Sequence, residues 1–187
     1  VQGDISSQFI TGFMFVLPLL NQDSTLTITE PYESKSYVNL TIQMLAKFGI
    51  EIIETSSNSY LIKGNQHYKA QDVSVEGDFS QLAFFAVLGT LNNTLSCSNM
   101  DMSSKQGDKA ILDCIPSFTS KEDTITFAKK QPAPQTIDLS NCPDLGPILC
   151  VLASFTNGET NIVNAARLRM KESDRIEAME TELKKWG

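Results

Sequence analysis

Histidine is nearly missing from this chain and cysteine is sparse: there is one histidine, His67, and four cysteines, Cys97, Cys114, Cys142 and Cys150. The cysteines show no CxxC spacing, so with a single histidine a zinc site is not expected. Buried free thiols in a reducing compartment are the expectation instead, and with them a cytoplasmic protein. Long apolar runs are also lacking. The longest, residues 9–20, is too short to span a bilayer and is broken by Pro18. Gln2, Gly3 and Asp4 make no basic leader, so neither a membrane anchor nor a signal peptide is expected. Net positive charge is absent too. The formal charge of −7 argues against a nucleic-acid partner. Any anionic ligand must therefore be held by local cations against an acidic background.

What is present is enough for real cores, with 41% hydrophobic residues in a length that suits one large domain or two small ones. The pattern repeats. Apolar, helix-like runs at residues 7–20, 82–91 and 145–155 are each followed by a strand-like segment, at 24–29, 93–98 and 159–163. A more polar, amphipathic helix follows each strand, at about 37–48, 108–115 and 176–186. A strand pair follows the first two of these helices, at 50–54 with 60–64 and near 116–118 with 124–127. Their turns are expected at Ser56 to Ser59 and at Ser120 to Asp123. Two independent markers, the strand-opening threonines Thr25, Thr94 and Thr160 and the breaks at Gly49, Ser117 and Gly187, give one period of about seventy residues.

The unit reads βαβαββ, with an inner apolar helix and an outer amphipathic helix against a mixed sheet. The first unit begins inside its first helix and the third stops before its strand pair. The chain is therefore expected to be an internal piece of a longer one, with apolar helix faces left uncovered. Connectors are expected at residues 67–72 and at the proline-broken 131–135.

The chemistry concentrates in residues 167–176, RLRMKESDRI, where Arg167, Arg169, Lys171, Glu172, Asp174 and Arg175 crowd together. Ile176, Met179, Leu183 and Trp186 follow as one helical stripe, with Gly187 at the expected stop. On composition alone this is a solvated, salt-bridged helix start. The four cations cannot share one helix face, however. A bent loop would have to gather them, and an anion would have to offset their repulsion.

Read with GDISSQF (3–9), ESKSY (33–37), EGDFSQLAFF (76–85) and CPDLGP (142–147), this stretch resembles the 5-enolpyruvylshikimate-3-phosphate synthase family, over essentially the whole chain. The resemblance implies an α/β enolpyruvyl transferase fold. Repeated βαβαββ units form an inside-out barrel in each of two domains, and the site lies in the cleft between them. Residues 1–75 would be the C-terminal part of the inserted second domain, and residues 76–187 the returning part of the first. Both domains would be incomplete here.

The roles that follow are those the resemblance implies. Ser6, Ser7 and Ser34 would hold the phosphate of shikimate-3-phosphate, with Tyr37 beside Ser34. Gln8 would bond the ring hydroxyls. Capping by Ser6, Ser7 and Ser34 is compatible with phosphate binding. Asp144, which by position alone is a helix-start acid, would bond the attacking 5-hydroxyl and shuttle its proton. Lys171 would contact both substrates and assist proton transfer, and Glu172 would stand near the methylene carbon of phosphoenolpyruvate. Arg175 would hold phosphoenolpyruvate with a forked pair of bonds. Asp174 would orient a neighbouring cation, and Arg167 would play a supporting part.

The implied reaction adds the hydroxyl to C2 of phosphoenolpyruvate as C3 is protonated, then expels phosphate as C3 loses a proton. It needs no metal or organic cofactor, and the parent would be monomeric. The family's amino-terminal lysine–serine and arginine, its glycine-rich loop, and its later arginine and lysine are not in this sequence. The chain alone is therefore expected to be inactive. Two rivals remain. One is the sister transferase acting on UDP-N-acetylglucosamine, which uses a loop cysteine as acid. No cysteine here sits in a suitable loop, and KESDR belongs to the shikimate branch. The other is a non-catalytic ligand-binding module, which would not need Asp144, Lys171 and Glu172 together.

Overall fold

The structure is a computed structural model describing residues 1–186. Gly187, the expected stop of the last helix, lies outside the described residues. The chain forms two compact units that meet in sequence at Ser74 and Val75.

The first unit contains α1 (Ser7–Val16), β1 (Ser24–Thr27), α2 (Lys35–Lys47), β2 (Ile52–Ser56) and β3 (Ser59–Ile62). Ser6 is extended and caps α1, its hydroxyl accepting from the Gln8 N–H at 3.2 Å. The helix ends at Val16, earlier than the expected Leu20. Pro18 instead lies in a short 3-10 turn, Leu17–Leu19, because it has no N–H to continue the α ladder. The sheet order is β1-β3-β2, antiparallel throughout. The β2–β3 turn is tighter than expected, since β2 runs on to Ser56 and β3 opens at Ser59. Asn58 ties this turn to β1, receiving the Ile28 N–H at 2.8 Å on its carbonyl and donating its side-chain amide to the Ile28 carbonyl at 3.0 Å. Tyr60 and Ile62 alternate inward from β3, where they meet Ile10 and Met14 of α1 and Val38 and Leu45 of α2.

The second unit contains α3 (Phe79–Leu91), β4 (Leu95–Cys97), α4 (Ile111–Cys114), β5 (Phe118–Lys121), β6 (Thr124–Phe127), β7 (Thr136–Asp138), α5 (Gly146–Ser154), β8 (Asn161–Val163) and α6 (Arg175–Leu183). β4, β6 and β5 repeat the antiparallel order of the first sheet, while β7 and β8 pair in parallel. The expected outer helix at 108–115 is shorter than its pattern. A 3-10 turn, Gly107–Ala110, leads into the single turn of α4. Pro116 drives Ile115 into extended backbone and closes the helix there. The expected Ser120 to Asp123 turn also tightens, because Ser120 and Lys121 belong to β5 and Glu122 takes a positive φ of 55°.

The repeat is visible in one recurring bond. The residue ahead of each apolar helix donates its N–H to the end of the following strand: Gly3 to Thr29 O (3.1 Å), Gly77 to Asn99 O (2.8 Å) and Leu139 to Val163 O (3.1 Å). Only in the third copy does it grow into a paired opening strand, β7. In the first it is an isolated parallel bridge between Gln2 and Thr29, and in the second that one hydrogen bond.

The apolar helices are not enclosed all round. Phe9, Phe13, Phe84, Phe85 and Leu88 are exposed, in keeping with the expected uncovered helix faces. The last helix departs from its pattern. α6 stops at Leu183, buries no residue fully, and leaves Trp186 89% exposed, outside the expected stripe.

Two glycines in apolar helices should respond oppositely to substitution. A Cβ on Gly89 of α3 would lie 2.9 Å from the Phe127 Cβ and 3.2 Å from the Leu95 Cβ, so this glycine sets how closely helix and sheet approach. Around Gly12 of α1 there is nothing within 4 Å. Gly89→Val is expected to destabilise the second unit by about 1–3 kcal/mol. Gly12→Ala is expected to stabilise the first by about 0.5–1 kcal/mol. Denaturant unfolding of each variant measures both; equal effects would contradict the packing described.

Candidate functional site

In the second unit the charged stretch 167–175 is bent, as its cation spacing required. Residues Ala166–Met170 form a 3-10 turn with Leu168 buried, Lys171 is extended, and Asp174 opens α6. The Asp174 carboxylate accepts the N–H groups of Ile176 (3.1 Å) and Glu177 (3.0 Å). Its other oxygen holds Arg169 at 2.7 Å, so Asp174 orients a cation while capping the helix. The helix N–H groups and Arg169 keep the Asp174 carboxyl below the usual carboxylate range.

Asp144 lies in the 3-10 turn Pro143–Leu145 at the start of α5. Gly146 permits this approach, since a Cβ there would be 2.6 Å from a Leu168 methyl. One Asp144 oxygen receives Arg175 Nη1 at 2.9 Å and faces Lys171 Nζ at 3.5 Å. Arg175 turns its other edge to Glu172, with Nε on Oε1 at 2.9 Å and Nη2 on Oε2 at 3.0 Å. The fork lowers the Glu172 carboxyl and raises the guanidinium. Asp144, Lys171, Glu172 and Arg175 are thus one connected cluster. The anions expected to offset the gathered cations include the protein's own carboxylates: Asp144, Glu172 and Asp174 face Lys171, Arg175 and Arg169.

In the first unit, Ser7 begins α1 behind the Ser6 cap and Gln8 is exposed on its first turn. The Glu33 N–H donates to the Gly3 carbonyl at 3.2 Å, which fastens the loop before α2 to the loop before α1. Ser34 sits at the α2 start, 1% exposed and left-handed at φ 56°, a conformation costing a non-glycine residue about 1–3 kcal/mol. Its side chain does not cap α2, so the capping expected of Ser34 is not made. Tyr37 is half-buried one turn on, its N–H bonded to the Ser34 carbonyl at 3.1 Å.

Lys35 spans from this turn to the sheet, donating to Glu54 Oε1 at 2.6 Å and the Ser57 carbonyl at 2.8 Å, with its ammonium 5.7 Å from the centre of the Tyr32 ring. The sequence reading missed Lys35, because no local spacing connects it to Glu54. The Arg175–Glu172 pair did have a signal, three residues apart at a helix start.

All four cysteines are free thiols, but only Cys142 is fully buried; the others are half-buried. Burial pushes Cys142 from its ordinary 9.0 up to about 12 and, with Asp113, Cys114 to about 11. Both folded values exceed the unfolded one. Their contribution to stability is therefore full below pH 9.0 and is lost as pH rises toward 11 to 12. The second unit is expected to lose thermal stability across that window, and Cys142→Ala should flatten the slope. A melting temperature unchanged from pH 8 to 11 would contradict it. Among the described residues, no group of three or more His, Cys, Asp and Glu side chains is placed to hold a metal, and no helix is long and apolar enough to cross a membrane.

Repeated α/β units, with a salt-bridged cationic turn at an outer-helix start, define an enolpyruvyl transferase fold. Solved structures share it: the EPSP synthase of Acinetobacter baumannii superposes with a TM-score of 0.76 over 98% of this chain and 44% of its own, at 19% identity. The enolpyruvyl transferase NikO of Streptomyces tendae gives 0.63 over 80% of this chain and 37% of its own, at 16% identity. All of residues 1–187 match the family described as EPSP synthase (3-phosphoshikimate 1-carboxyvinyltransferase), and the chain belongs to that family. The 3-phosphoshikimate 1-carboxyvinyltransferase of Clostridium acetobutylicum is 52% identical over 187 residues, covering 99% of this chain and 44% of the relative. That of Clostridium kluyveri is 48% identical, covering 100% and 45%. The chain therefore spans a little under half the length of these curated relatives.

Proposed function

We propose that the protein carrying this chain transfers the enolpyruvyl group of phosphoenolpyruvate to the 5-hydroxyl of shikimate-3-phosphate and releases phosphate. The observation that carries this reading is the cluster of Asp144, Lys171, Glu172 and Arg175, two acids sharing one guanidinium in a member of this family. Asp144 takes and returns the hydroxyl proton, with Lys171 beside it to stabilise the charged forms. Glu172 serves the proton at the methylene carbon, and Arg175 meets the phosphoenolpyruvate anion. Ser6, Ser7 and Ser34 receive the phosphate of the other substrate, with Tyr37 beside Ser34 and Gln8 on the ring hydroxyls. Ser34 supports this reading, because a buried serine held left-handed at a helix start is strain of a kind that clusters at ligand sites. Residues 1–75 belong to the inserted domain and 76–187 to the returning one. The protein works in the cytoplasm as a monomer without organic cofactor.

Phosphate release tests the reading. A protein carrying this chain at the full length of its relatives is given phosphoenolpyruvate with either shikimate-3-phosphate or UDP-N-acetylglucosamine. Release with the first acceptor alone is expected. Release with the second alone would transfer the assignment to the sister enzyme, and release with neither would favour a binding module.

A further inference from the structure

Each nitrogen of the Arg175 guanidinium is engaged in this structure. Nε and Nη2 are both on Glu172, and Nη1 is on Asp144. A substrate carboxylate or phosphate seeking the forked bond at Nε and Nη2 must therefore displace Glu172 from it. The two acids are not equally easy to move. The Glu172 side chain is 68% exposed and sits on a loop, so it can swing into water at little desolvation cost. Asp144 is 37% exposed, held in the turn before α5, and also faces Lys171.

We propose that Glu172 is a placeholder for the substrate anion on Arg175, and that phosphoenolpyruvate releases it by taking over the same two N–H groups. This rests on the assignment of Arg175 to phosphoenolpyruvate made above and deepens it. The exchange has a chemical consequence. While paired, the Glu172 carboxyl is held low by the Arg175 fork and is a poor proton carrier. Once displaced, it loses that fork and gains a like-charged neighbour, both of which raise it. Substrate arrival would thus switch on the group that handles the methylene proton, and an empty site would keep it inert.

The charged neighbours do not alter the direction. Lys171 and Asp174 lie on the same loop, Arg167 and Arg169 on the preceding turn, Asp144 on the turn before α5, and Glu177 on α6. α5, which packs on α6, carries only the Cys150 thiol, itself raised by burial. Lys171 is a second cation that lowers Glu172, and it takes no part in the fork that is exchanged.

Carbon-13 NMR of labelled glutamate carboxyls tests this in two arms. In the 187-residue chain, the Glu172 signal, assigned by its disappearance in Glu172→Gln, should titrate below the ordinary glutamate range. Arg175→Lys should return it toward that range; no change would overturn the pairing and the proposal. In the full-length protein, phosphoenolpyruvate is added with a shikimate-3-phosphate analogue lacking the 5-hydroxyl, so that no turnover occurs. The Glu172 midpoint should then rise to the ordinary range or above. If phosphoenolpyruvate binds in an Arg175-dependent way and the midpoint stays low, the placeholder is wrong while the Arg175 assignment survives. If Arg175→Lys leaves phosphoenolpyruvate affinity unchanged, the assignment fails and the proposal with it.

Discussion

Glu172→Gln in the full-length protein is expected to lower kcat by about 10²- to 10⁴-fold, with KM for phosphoenolpyruvate unchanged or lower. Glutamine matches the shape of glutamate but cannot carry a proton at neutral pH. It also accepts only one of the two Arg175 N–H groups and lacks the charge that now raises the guanidinium. A kcat loss without a KM rise is what removing a group used only in the transition state looks like. Helix α6 should keep its cap, because Asp174 and not Glu172 accepts its first N–H groups. Steady-state kinetics beside a circular-dichroism melt separate chemistry from folding. Near-normal turnover in a folded variant would remove Glu172 from the proton path.

The 187-residue chain alone is expected to show no detectable turnover, and only weak binding of phosphoenolpyruvate or none. Its cluster sets three cations, Arg169, Lys171 and Arg175, against three acids: Arg169 meets Asp174, Lys171 meets Asp144, and Arg175 meets both Asp144 and Glu172. The local charge is therefore close to balanced, within a chain of formal charge −7. A multiply charged anion would have to displace Glu172 with no further cation in this cluster to favour the exchange. The family resemblance assigns a further arginine and lysine to this substrate, and neither is in the sequence. Calorimetry and a phosphate-release assay on a sample of verified mass measure both quantities. Robust steady-state turnover by that sample would show that the cluster is sufficient by itself.

The period of about seventy residues was legible in the sequence because it rests on short-range chemistry. Apolar runs, threonine-opened strands and amphipathic stripes are local patterns, and they placed α1, α2, α3, α5 and both hairpins within a few residues. Where local rules compete, boundaries moved: Pro18 cut α1 short, and Pro116 reduced the second outer helix to a single α turn.

The cluster was legible only in part. Sequence placed Lys171, Glu172, Asp174 and Arg175 together and, through the family motif, added Asp144 from 31 residues away in the chain. Which acid meets which edge of Arg175 was not legible. That depends on the bend at Lys171 and on the approach of the Asp144 turn over Gly146, and both are set by packing around Leu168. The same holds for Ser34, whose burial and left-handed backbone follow from no local spacing, and whose neighbour Glu33 is bonded to the distant Gly3 carbonyl. Sequence by itself determined the repeat, the charge and the residue types that carry the chemistry, because these follow from neighbours in the chain. Only tertiary structure decided that the cations are already paired with the protein's own acids. Ion pairing depends on side-chain distances of about 3 Å, and those are fixed only once the helices and turns of the second unit have packed.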